Sequence, residues 1–237
     1  MVYNSREKIK TLPVETIDTD DLVCMDLLAD QVPLRVDLAY ARDDNTLFGE
    51  RIYRTDAKLY LHLHLADVVE QAAILAREHH GLTLVLYDGL RTVEAQQRML
   101  ETQKVKDHPH WVDAVPRLLS RPGEGGHPRG MAVDVSLLDP DGRALDMGTV
   151  FDFLAEKPDA PYNPAHREHP QSEAVKQNRK ILNSVMLEGA RLAGQRLLPL
   201  PQEWWDYRLP GDIIRRYLPL SERDLPPEMC LLQPLSQ

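Results

Sequence analysis

His127 and Asp134 stand at the two ends of Gly126-His127-Pro128-Arg129-Gly130-Met131-Ala132-Val133-Asp134, and an imidazole and a carboxylate flanking a glycine-rich turn are donors that a divalent metal ion accepts. The glycines of this stretch, together with Gly123 and Gly125 before it, let the backbone approach a ligand and take up positive φ angles. From Met131 onward Val133, Val135 and Leu137 alternate with Asp134 and Ser136, so a strand here carries Asp134 on the face away from its apolar neighbours. The chemistry this suggests is half of a metal site. Arg91, ending the turn Asp88-Gly89-Leu90-Arg91, falls at a strand-to-helix junction from which a guanidinium reaches into a cleft. Glu203 and Asp206 flank Trp204-Trp205, and Asp152 lies between two phenylalanines. Taken singly, each has a plainer use, His127 as a solvated turn residue and Arg91 as the partner of a surface carboxylate.

The elements that must hold these residues are legible from periodicity. Leu61, Leu65, Val68, Val69, Ala72, Ala73 and Leu75 make a helical stripe within 55–80, closed by Gly81. His62, His64, His79 and His80, on or beside it, read as structural. Leu82 to Tyr87 reads as a buried strand. Thr92 caps a helix over 92–104, and Ser172 caps another over 172–192. Met131 to Leu138, 144–153 and 197–209 read as extended pieces. Glu203 and Asp206, three apart, face opposite sides of a regular strand, so they converge only at a bulge, a twist or the strand's end. The loop 156–171 is long enough for a lid. One α+β domain over 1–237 is expected, a mostly antiparallel sheet flanked by helices, with 1–30 as an N-terminal extension and a Pro-rich tail, 218–237, wrapping the surface.

Composition narrows the function. The 237 residues are 43% hydrophobic with a net charge of −9, enough for a full core and a poor match to nucleic acid or an anionic membrane, which need clustered Lys and Arg. No apolar run is long enough to span a bilayer, and the polar start lacks the apolar region of a secretory signal, so the expected location is the cytoplasm. Cys24 and Cys230 are too few for a thiolate zinc site.

Read together, Leu38-Ala39-Tyr40-Ala41-Arg42 with Asn45 and Gly49, Asp88 to Arg91, Gly126 to Asp134, Met147 to Asp152, Asn178-Arg179 and Glu203-Trp204-Trp205 resemble the D-alanyl-D-alanine dipeptidases of the VanX type, zinc peptidases with a hedgehog-like D,D-peptidase fold. The resemblance runs from about residue 30 to 210. It implies a zinc enzyme that cleaves D-Ala-D-Ala with one ion per chain. In it His127 and Asp134 match zinc ligands, Glu203 the general base, Arg91 the residue that stabilises the transition state, and Asp152 the acceptor of the substrate's ammonium. Two positions depart from the family pattern: Asp206 stands where the third ligand is a histidine, and Gly125 where a serine contributes to substrate binding. A carboxylate can still bind zinc, but an oxygen-rich set shifts preference towards ions such as manganese. The expectation is therefore weak zinc binding and slow turnover, both improved by Asp206→His. One rival is a binding protein of the same fold that has lost catalysis with its third histidine. An iron oxygenase is the other, disfavoured because its facial triad needs a second histidine that no comparable motif supplies.

Overall fold

The computed structural model describes residues 14–233. In chain order the elements are β1 (Leu22–Cys24), α1 (Met25–Leu28), β2 (Leu34–Val36), β3 (Tyr60–His62), α2 (Leu63–His80), β4 (Thr83–Asp88), α3 (Val93–Leu100), α4 (Gln103–Lys106), α5 (His110–Asp113), β5 (Ala132–Leu138), α6 (Glu173–Leu192), β6 (Leu198–Pro199), β7 (Asp206–Arg208) and α7 (Gly211–Ile214). Five strands form one sheet in the order β2-β4-β5-β7-β6, and β1 pairs antiparallel with β3 in a second. Within the larger sheet β2 and β4 are parallel, as the long crossover through α2 between them requires. Every other pair is antiparallel. The result is the mixed α+β domain expected from the sequence.

β5 is buried along its whole length. Val133, Val135 and Leu137 share one core with Leu65, Val68, Val69 and Ala72 of α2 and with Leu182, Val185 and Met186 of α6, each buried aliphatic side chain contributing roughly 1.5–3 kcal/mol. The two helices approach closely at Gly189, where a Cβ would lie 2.8 Å from both the Ala72 nitrogen and the Val68 oxygen. A smaller core collects Tyr40, Phe48, Tyr53, Met99, Trp111 and Leu119.

Several predicted elements differ in detail. The helix over 55–80 begins only at Leu63, because Tyr60, Leu61 and His62 pair with β1. His62 caps it, its Nδ1 accepting from the His64 amide. The helix over 92–104 breaks after Leu100, and Thr102 starts a new turn by capping α4. The stretch 144–153 is not a strand; Ala144 alone bridges to Leu138, and the chain then turns, reaching Asp152 with φ 63°. The loop 156–171 is pinned rather than free. Arg179 donates to the carbonyls of Met147, Pro164 and His166, and Arg167 donates to those of Leu200 and Asp206.

Both ends of the described chain join the core. Leu22 and Met25, assigned to an extension, are buried, as are Leu220, Leu225, Met229 and Leu231 of the tail; residues 1–13 and 234–237 lie outside the described residues. The tail is stitched to the start of α3. Ser221 donates to Glu94, Thr92 donates to Glu222, and the Glu222 carboxylate accepts from the amides of Leu231 and Leu232. The Val93 amide donates to the Leu220 carbonyl at 3.0 Å, and the Arg54 backbone amide donates to the Leu231 carbonyl at 2.7 Å.

Candidate metal centre and active site

Strand register builds the centre. Asp88 on β4 is paired with Asp134 on β5, and Asp134 with Asp206 on β7, so three buried carboxylates stand in a row across adjacent strands. A register shift between Leu86 and Asp88 brings the first of them into line. Like charges placed so closely repel, and this row persists because cations are interleaved with it. Arg91 donates from Nε to Asp88 Oδ2 at 2.9 Å, and its Nη2 lies 3.5 Å from Asp134 Oδ2. Arg208 donates from Nε to Asp206 Oδ1 at 2.8 Å and from Nη2 to Oδ2. His127 faces the row from above.

The glycine turn aims that histidine. His127 opens a single turn of 3-10 helix, His127–Arg129, closed by Gly130 at φ 62°, where a Cβ would lie 2.8 Å from the His62 nitrogen. Arg129 grips the carbonyls of Gly123, Gly125 and Tyr217. His127 Nδ1 lies 2.8 Å from the Gly89 carbonyl, which can only accept, so Nδ1 carries the proton. Nε2 is thereby turned inward, 3.6 Å from Asp134 Oδ1 and 3.5 Å from Asp206 Oδ2. Among the described residues Asp134 Oδ1 is a buried side-chain oxygen with no hydrogen-bond partner. Such an orphan acceptor is costly without a ligand.

Glu203 and Asp152 complete the lining. β6 and β7 form a hairpin, Pro199 opposite Tyr207, and Glu203 sits in its turn while Asp206 begins β7. The strand's end thus resolves the conflict between residues three apart. Asp152 accepts from the Tyr40 hydroxyl at 2.6 Å, and its left-handed backbone, uncommon without glycine, is held by Phe151, stacked on Tyr87 at 4.7 Å. A cavity of about 70 Å³ is lined by Arg91, His127, Asp134, Asp152, Glu203 and Asp206 together.

Electrostatics separate the carboxylates. Burial, with the neighbouring charges of Asp206 and Asp134, pushes Glu203 well above the usual carboxylate range. Burial and Asp134 likewise raise Asp152 to about 7, against the pull of its Tyr40 hydrogen bond. Asp206 is held below its ordinary value: burial opposes this, and the Arg208 guanidinium outweighs it. For His127, burial and Arg91 disfavour the proton while Asp134 and Asp206 favour it more, raising its pKa to about 10.

All six residues singled out from the sequence therefore meet in one place. The profile of the D-Ala-D-Ala dipeptidases, peptidase family M15, matches residues 20–222. The chain belongs to that family. Its members are metallopeptidases that hydrolyse D,D-dipeptides, and the chain is 32% identical over 194 residues to the D-alanyl-D-alanine dipeptidase of Escherichia coli K12, covering 81% of this chain and 86% of that one. Among solved structures, a Serratia marcescens L-Ala D-Glu endopeptidase overlaps loosely, with a TM-score of 0.37 at 13% identity over 65% of this chain and 83% of that chain. Among the described residues no helix is long and apolar enough to cross a membrane.

The M15 centre contains groups that sequence reasoning passed over. Asp88, with His127 and Asp134, forms a buried Asp-His-Asp triad that could hold a metal ion. Its oxygens are already engaged, one by the Tyr53 hydroxyl at 3.0 Å and the other by Arg91. Tyr53 carried no local signal, and Tyr40 lay in the Leu38–Arg42 motif without a role of its own. Arg208 did carry a signal: residues two apart on a strand share a face, so any strand presenting Asp206 to the cavity presents Arg208 beside it.

Proposed function

We propose that this chain hydrolyses D-Ala-D-Ala at a single zinc ion held by His127, Asp134 and Asp206, with Glu203 as general base. The observation that carries the ligand set is the unpartnered Asp134 Oδ1 facing His127 Nε2. Two ligands about 2.0–2.2 Å from one tetrahedral ion stand about 3.3–3.6 Å apart, and the 3.5 and 3.6 Å spacings agree with that for the two edges that meet at His127 Nε2. When bound, the ion polarises the scissile carbonyl and lowers the pKa of water towards about 7. Glu203 is three residues before a ligand and lines the same cavity, close enough to take the proton of the attacking water and return it to the leaving amine once a bound cation offsets the Asp206 and Asp134 charges that raise its pKa. Arg91, held by Asp88, presents its charge where the carbonyl oxygen becomes anionic. Asp152 receives the substrate's α-ammonium, so a free dipeptide fits and an internal peptide bond does not. Tyr40 keeps that carboxylate in place.

The test is metal analysis of protein purified without chelator, followed by D-alanine release from D-Ala-D-Ala before and after chelation. The expected result is about one zinc per chain and release that stops on chelation and returns with zinc. Failure to take up zinc on titration, with no release at any zinc level, would favour the rival reading of a binding protein, for which the engagement of Asp206 by Arg208 is the motivating observation.

A further inference from the structure

We propose that Arg208 is a positioning residue for the metal centre: by holding both oxygens of Asp206 it makes the pair an electrically neutral third ligand and sets how tightly the ion is bound. This rests on the reading of Asp206 as a ligand. The two Arg208 nitrogens address different carboxylate oxygens, the fork geometry in which a guanidinium matches a carboxylate. Asp206 is 1% exposed, while the Arg208 side chain, 23% exposed, lines the cavity beside Glu203, so water screens the pair only from the Arg208 side. Among the described residues Asp206 is the carboxylate that forms an ion pair with Arg208. Each carboxylate oxygen has two lone-pair directions. Oδ2 can therefore accept from Arg208 and still face the ion beside His127 Nε2.

Two consequences follow from the charge count. A second carboxylate makes a ligand set more negative than an imidazole does, and Arg208 cancels that difference. The net charge around the ion is then that of one carboxylate and two neutral ligands, while the donor atoms stay as oxygen-rich as before. Positions 206 and 208 are also coupled. Asp206→His alone strands a guanidinium beside a dication, so this change by itself weakens zinc binding or leaves it level, contrary to the expectation from the ligand set alone. Adding Arg208→Ser removes the stranded charge.

Zinc titration of the whole chain against a competing chromophoric chelator, with circular dichroism to verify folding, tests the idea. Asp206→Ala should weaken zinc about tenfold or more, and Arg208→Gln, which keeps hydrogen bonds but removes the positive charge that opposes the dication, should tighten it about tenfold. Arg208→Lys, retaining the charge, should stay within about threefold of the parent. Asp206→His should bind no tighter than the parent, and Asp206→His with Arg208→Ser about tenfold tighter than Asp206→His. Unchanged affinity in Asp206→Ala overturns the ligand reading itself. Weakened binding there, but equal affinities for Arg208→Gln and Arg208→Lys, overturns the role of Arg208. Equal affinities for the two Asp206→His forms do the same, and this comparison decides if Arg208→Gln does not fold.

Discussion

β5 has two faces, and both are buried. On one, Val133, Val135 and Leu137 meet the helices α2 and α6; on the other, Asp134 stands in a row of carboxylates with Asp88 and Asp206. The apolar face is held by many weak, non-directional contacts, so loss of one costs in proportion to the volume removed. The polar face is held by a few partners in fixed geometry, and removing one leaves another buried and unpaired. Equal burial thus conceals opposite tolerances. Stability resides in the first face, and the chemistry proposed for this chain in the second.

The sharpest test of that division is Glu203→Gln, which keeps shape but loses basicity. Turnover should fall by about 10²–10⁴ while zinc titration and melting temperature stay near the parent's. Turnover within a few-fold of the parent would remove Glu203 as base. The next effect is on substrate choice. N-acetyl-D-Ala-D-Ala lacks the ammonium and would leave Asp152 buried without its charge partner, so its kcat/KM should be at least about a hundredfold below that of the free dipeptide. Because Asp152 is raised to about 7, it is increasingly protonated below that pH and pairs less with the ammonium. The kcat/KM of the free dipeptide should fall accordingly on acidification. Equal constants for the two dipeptides would show that something other than Asp152 sets substrate length.

On the apolar face Gly189→Ala forces a methyl against the α2 backbone and should destabilise by about 1–3 kcal/mol, read by denaturant melts, with kcat unchanged well below the melting temperature. A loss of kcat at full stability would mean that the two faces are not separable. The smallest effect concerns His62. Burial, reinforced by the charge of His64, depresses it from 6.5 to about 4. The unfolded chain therefore binds a proton that the folded chain refuses, and this contribution to stability is intact above pH 6.5 and lost as pH falls from there towards 4. His62→Asn retains an N-cap acceptor without the titration, so its melting temperature should fall less steeply over that interval. Parallel curves would exclude His62 as the source.

The two faces were also unequally legible. α6 over Glu173–Leu192 and the alternation of β5 were readable because a long apolar period leaves little choice of element. The three-residue strands β1 and β3 were not, since so short a stretch has no period and is fixed by its partner. The site was readable as residue types, His127 and Asp134 from their turn and Arg91 from its junction. Its geometry was not. Tyr40 and Asp152 are far apart in sequence, and the β6–β7 hairpin that places Glu203 beside Asp206 depends on a strand ending at one particular residue. The carboxylate of Asp206, read alone, looked like an added negative charge; with Arg208 beside it the charge is balanced.

The stitching of the tail to α3 sets an order of events during synthesis. Chains emerge from the ribosome N-terminus first, and Asp88, His127 and Asp134 are all available for pairing once β5 has been made. The corner carrying Arg91 and Thr92 is different. It is clasped by Glu222, which is itself held by the amides of Leu231 and Leu232. That corner therefore gains its clasp only after residues 222–232 have been made, later than the strands that carry Asp88, Asp134 and Asp206.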